Sequence, residues 1–178
     1  MIDYKSYESV NGVPFGASEE EVIKVFGEPD SRDDNVQIAL YYKDFTIHLN
    51  ANGFFYIGIS PFEKVVINGK IAGWTLKEVA DIIKMDSHPV VDDADIILHD
   101  LGVDFINFHD IEDDDTSERV IAFFAKGVMK HYESEKPFRL IENEYNPNNA
   151  LEIIDEHEET QEKNNKGDDI IPDDFFTK

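Results

Sequence analysis

Two stretches decide the fold of this chain: Asn11-Gly12-Val13-Pro14-Phe15-Gly16-Ala17-Ser18-Glu19-Glu20-Glu21-Val22 and Asn68-Gly69-Lys70-Ile71-Ala72-Gly73-Trp74-Thr75-Leu76-Lys77-Glu78-Val79. They align without a gap at an offset of 57 residues. Each opens on an Asn-Gly turn pair, passes a glycine, and reaches a Ser or Thr with a Glu three residues later. That spacing is a capping box, in which hydroxyl and carboxylate satisfy orphan backbone N–H groups of a first helical turn. Helices are therefore predicted after Ser18 and Thr75. Val22, Val25 and Phe26 in one and Val79, Ile82 and Ile83 in the other recur at helical spacing, so both helices are short and amphipathic. Gly27, ahead of Glu28-Pro29-Asp30, is expected to close the first in the αL conformation, and the second should end near Lys84.

Strand-like runs surround the helices. Tyr7–Val10 and Val65–Ile67 precede them. Gln37–Tyr42, Phe45–Leu49 and Phe54–Ile59 follow the first, joined through Lys43-Asp44 and Asn50-Ala51-Asn52-Gly53. Asp95–His99, Val103–His109 and Arg119–Ala125 follow the second, with an acidic insertion at Asp110–Glu118. Apolar residues in short runs bounded by turn chemistry read as strands and hairpins. The expected fold class is α+β: two tandem β-α-β-β-β pseudo-repeats, an antiparallel sheet with helices on one face, and an acidic C-terminal tail. One repeat spans 1–62, the other 63–140, packed together as one body, and the tail spans 141–178. A unit of about 60 residues buries too little surface to stand safely alone, so the two sheets pack side by side or run on as one.

The chain has 178 residues, 16 Lys and Arg against 39 Asp and Glu, and no Cys. Its net charge of −23 excludes the clustered cations that grip phosphates, so neither a nucleic acid nor an anionic membrane is expected as a partner. Lack of Cys removes disulfides and thiol chemistry, and the N-terminus shows no signal-peptide pattern, so a cytoplasmic address is expected. Residues 141–178 hold 12 acids and 3 bases, about twice the acidity per residue of residues 1–140, with 27 and 13. A helix is predicted there from about Asn149 to Lys163, on Leu151, Ile153 and Ile154, and Asp168–Phe176 reads as a short docking peptide.

The fragment Phe15-Gly16-Ala17-Ser18-Glu19-Glu20-Glu21-Val22-Ile23-Lys24-Val25-Phe26-Gly27-Glu28-Pro29 and the meander after it resemble small bacterial α+β modules, the BamE/SmpA outer-membrane lipoprotein family and the tandem-repeat β-lactamase inhibitory proteins. The resemblance covers roughly residues 10–125 and implies a scaffold that binds other proteins. In size and acidity the chain also resembles the immunity proteins that neutralise bacterial toxins. Asp168–Phe176 is similar to the acidic tip of bacterial single-stranded-DNA-binding proteins, which implies an adaptor acting through its C-terminal peptide.

No catalytic constellation is legible. Ser18 is committed to a helix cap, Ser60 lacks a nucleophile elbow, and no phosphate-cradling glycine loop occurs. Asp92, Asp93, Asp95, His99, Asp100, Asp104, His109 and Asp110 include metal-ligand types, but their spacing follows no known metal pattern, so neither metal nor cofactor is expected. The expected function is non-catalytic: an immunity or inhibitor protein that takes a basic protein partner, a cationic toxin, since complementary charge speeds encounter. Its contact residues are expected among the loop acids Asp92, Asp93, Asp95, Glu112, Asp113, Asp114 and Asp115 and the aromatics Tyr41 and Phe55.

Overall fold

Both capping boxes form. In the computed structural model, which describes residues 1–108, 116–129, 136–142 and 151–155, Ser18 Oγ accepts from the Glu21 backbone N–H while the Glu21 carboxylate accepts from that of Ser18. Thr75 and Glu78 repeat the arrangement. The helices are α1 (Glu19–Phe26) and α2 (Leu76–Ile83), whose bounds differ by 57 at both ends. Gly27 differs in detail from the sequence expectation: its φ of 86° is positive, but its ψ of −180° is extended, outside αL. The conformation still belongs to glycine, and its N–H donates to the Ile23 carbonyl to end the helix.

Fifteen strands are described: β1 (Ile2–Lys5), β2 (Ser9–Val10), β3 (Val13–Pro14), β4 (Ser31–Asp33), β5 (Ile38–Tyr41), β6 (Phe45–Asn50), β7 (Gly53–Ile59), β8 (Val65–Ile67), β9 (Lys70–Ala72), β10 (Val90–Asp92), β11 (Asp95–Leu98), β12 (Val103–Ile106), β13 (Val120–Phe124), β14 (Lys136–Glu142) and β15 (Leu151–Asp155). They form a five-stranded sheet ordered β3-β2-β1-β8-β9 and a ten-stranded sheet ordered β15-β14-β10-β11-β12-β13-β7-β6-β5-β4. Pairing is antiparallel except for β1 against β8. The fold is mixed α+β, mostly sheet. Neither expected way of joining the halves is realised as such: both sheets draw strands from before and after residue 62, through β1 against β8 in the small sheet and β7 against β13 in the large one.

Asn-Gly pairs set the small sheet. Asn11 and Gly12 between β2 and β3, and Asn68 and Gly69 between β8 and β9, take φ of 50° and 80° and of 48° and 83°. Two successive positive φ values make the turn whose twist matches a hairpin. Asn11 Oδ1 and Asn68 Oδ1 also accept backbone N–H groups of Asp3 and Ser6, which tie both turns to β1 and the residue after it.

One face of the large sheet carries the core. Val91, Ile96, Phe105, Ile121, Ile59 and Phe45 lie opposite one another across six strands, and Leu98, Val103, Phe123, Ile57, Ile47 and Leu40 form a second row. The small sheet covers this inner face: Tyr4 of β1 stacks on Phe123 with ring centroids 4.0 Å apart, and its hydroxyl donates to the carbonyl oxygens of Leu101 and Gly102. Val22, Leu76, Val79, Ile82 and Ile83 bring both helices into the same core cluster. The bounds of β5 and β11 also differ by 57, but Leu40 faces inward at the position where Ile97 faces outward, so the offset slips by one residue beyond the helices.

Residues 151–155 overturn part of the helix expected over 149–163: they form β15, paired with β14 from Phe138 against Asp155 to Glu142 against Leu151. Partnership with a strand outweighs a thin helical stripe, because Leu151 and Ile153, either side of Glu152, also satisfy a period of two. β14 runs across the boundary between residues 140 and 141, the start of the acidic tail in the sequence, and joins the large sheet through β10.

Candidate functional site

The outer face of the large sheet gathers acids at one end. β10 and β11 meet through a two-residue turn, Asp93-Ala94, in which Asp93 takes φ 54°, and Asp92 lies directly opposite Asp95. Asp93 is exposed, while Asp92 and Asp95 are half-buried. The Asp95 carboxylate accepts from the Asn107 backbone N–H, yet burial raises its pKa above the ordinary range, helped by the charges of Asp92 and Asp93. Alternation along the strands puts Asp92, Asp95 and Asp104 on this same face.

Asp104 is the exceptional residue. On β12 it stands in register between Ile97 of β11 and Ala122 of β13, both buried, and is itself only 5% exposed. Among the described residues, its Oδ1 has no hydrogen-bond partner. Burial foremost, and then the charges of Asp95 and Asp92, push its pKa up to about 8, so the carboxyl is protonated at neutral pH.

Tyr56 completes the surroundings. Gly58 lies opposite Ala122, and a Cβ placed there would meet the Tyr56 hydroxyl and ring at 3.4 Å, so the phenol leans across the glycine along this face. Its pKa is raised to about 12, by burial first and then by the charges of Asp104 and Asp95. His48, opposite Tyr56 on β6 and packed edge-on to its ring, has its pKa lowered by burial, with Nδ1 2.8 Å from Gln37 Nε2.

The sequence-predicted contact residues therefore divide. Asp92, Asp93 and Asp95 come together on one hairpin. Tyr41 is 41% exposed and shares the outer row of Asp104, but three strands lie between them, four inter-strand spacings or about 19 Å. Phe55 is half-buried and lines a separate groove of about 620 Å³ with Phe15, Asn50, Asn52 and Lys126. Glu112, Asp113, Asp114 and Asp115 lie outside the described residues, as does Asp168–Phe176. Asp104, named in the sequence only within a scattered set of acids and histidines, is the residue that the reading of contact positions missed. An Asp between Val103 and Phe105 reads as ordinary alternation on a half-buried strand, so the sequence carries no signal of its burial.

Among the described residues, no three Asp, Glu or His side chains converge to hold a metal ion, and no helix is long and apolar enough to cross a membrane. No family model, no curated protein and no solved structure matches the chain.

Proposed function

We propose that the protein is a non-catalytic binding module whose acidic face takes a basic protein, and that its role is that of an immunity protein neutralising a cationic bacterial toxin in the cytoplasm. The single observation carrying this reading is the acidic end of the outer sheet face, where Asp92, Asp93 and Asp95 share one hairpin on the face that also holds the buried carboxyl of Asp104. Like charges crowded without cations cost stability, and a basic partner would offset that cost on docking. Net charge of −23 would draw such a partner in from a distance, most strongly at low salt. We further read the body as two copies of one β-α-β-β-β unit, on the shared turn conformations, capping boxes and helix bounds at an offset of 57, with an acidic tail after the second copy.

Capture from the native host's lysate at low salt, with elution by rising salt, tests the reading. The expected result is a basic protein that leaves with salt, arrests growth when expressed alone, and is tolerated when this chain is co-expressed. If no salt-eluted protein is toxic, or if toxicity persists beside this chain, the immunity reading fails.

A further inference from the structure

We propose that Asp104, Asp95 and Asp92 form a receptor for a single arginine side chain of the partner, its guanidinium seated against Oδ1 of Asp104 under the ring of Tyr56. This rests on the reading of the acidic hairpin as the partner's face and names what that face grips.

Nearly every buried polar atom in a folded protein has a hydrogen-bond partner, and a buried carboxyl without one is expensive to keep. Here Asp104 Oδ1 has none, in a row whose neighbours Ile97 and Ala122 would accommodate an apolar residue without penalty. Asp95 and Asp92 act on it through their charge, and among the described residues none of the three forms an ion pair. Exposure falls from Asp93 through the half-buried Asp92 and Asp95 to the buried Asp104.

The chemistry selects the occupant. These acids do not converge tightly enough for a metal ion, whereas a guanidinium spreads five N–H donors over a plane and can reach two carboxyls at once. It is also more weakly hydrated than an ammonium, so entry into a buried row costs it less. Tyr56 leans across Gly58 on this same face, close enough for its hydroxyl to feel the charge of Asp104, and an aromatic ring there suits a guanidinium plane.

Seating the arginine has a proton balance. The groups facing Asp104 are Asp95 from β11, Asp92 from β10 and Tyr56 from β7, while β13 contributes Ala122 and Val120, which do not titrate. Asp104 is protonated before binding, so pairing converts the carboxylic acid to carboxylate and the proton leaves to the buffer. Binding below pH 8 therefore releases a proton, and affinity rises with pH until the free carboxyl is ionised.

The test uses the full chain and acetylated, amidated hexa-arginine as probe, titrated calorimetrically at low salt in two buffers of different ionisation enthalpy. At pH 7.5 about three quarters of a proton should be released per peptide bound to Asp104, and at pH 9.5 almost none. Asp104→Asn should abolish that release and weaken binding about tenfold, and Asp95→Asn should weaken binding while release persists. Unchanged amide spectra keep the Asp104→Asn comparison fair; if that variant misfolds, the buffer dependence of the unaltered protein decides alone. Tight binding without proton release overturns the receptor and leaves the basic-partner reading standing. Equal release with hexalysine overturns the choice of arginine. If hexa-arginine does not bind at low salt, both readings fall.

Discussion

Replacing Asp104 by Asn should make the protein more stable at alkaline pH and less stable at acid pH. The carboxyl moves from 3.8 to about 8 on folding, so the native state holds a proton that the unfolded state has lost throughout that interval. For an acid with a raised pKa the sign is unfavourable: folded stability falls as pH rises from about 4, and the loss is complete above pH 8. Four units at 1.36 kcal/mol each amount to about 5 kcal/mol. Asn cannot ionise and escapes that loss, but it brings two N–H donors into a row bounded by Ile97 and Ala122, at a pH-independent cost of about 1–3 kcal/mol. The native protein should therefore win by about 1–3 kcal/mol at pH 3.5, where little of that loss has accrued, and Asp104→Asn by about 2–4 kcal/mol at pH 8.5. Urea unfolding of both proteins across this range measures the difference, and subtraction removes the titration of the other acids. A difference that stays constant with pH would refute the claim that Asp104 is buried as a neutral acid.

Other substitutions probe the scaffold. Ser18→Ala and Thr75→Ala should each cost about 1 kcal/mol, and the pair should add, since each removes one helix cap; urea midpoints check this. Gly53→Ala should destabilise more strongly, by about 2 kcal/mol or more, because φ is 93° and the new Cβ would sit 2.3 Å from the Gly16 carbonyl oxygen; thermal melts read the loss. Tyr4→Phe keeps the stack on Phe123 but leaves the carbonyls of Leu101 and Gly102 without the hydroxyl, for a loss of about 1–3 kcal/mol in the same assay. Replacing Glu112, Asp113, Asp114 and Asp115 by Gln and Asn should slow association with a basic partner and flatten its salt dependence, as stopped-flow rates would record.

Local chemistry made much of the fold legible. Ser18 with Glu21 and Thr75 with Glu78 announce two helices because a capping box acts within four residues, and Asn11-Gly12 and Asn68-Gly69 announce hairpins for the same reason. Strands β5 to β7 and β11 to β13 could be read from apolar runs between turns. What stayed hidden depends on distant partners. Nothing near Ile57 says that it will lie opposite Phe123, yet that pairing joins the halves into one sheet. Leu151, Ile153 and Ile154 suit a helix or a strand, and β14 decides between them. The candidate site follows the same rule: Asp92, Asp93 and Asp95 are neighbours in sequence and meet on a hairpin. Asp104 alternates away from Val103 and Phe105 as a solvated acid would, and only Ile97 and Ala122, supplied by other strands, reveal that it is buried.

The central claim is that the acids of one hairpin, and not acidity at large, meet a basic partner. Association rates with the salt-eluted partner, measured against ionic strength, compare Asp92→Asn/Asp93→Asn/Asp95→Asn with Glu20→Gln/Glu28→Gln/Asp30→Asn, which removes the same charge from exposed positions on and just after α1. The hairpin variant should bind more slowly, dissociate faster and lose salt dependence, while the α1 variant stays close to the unaltered protein. Equal effects from both sets of substitutions would contradict the account.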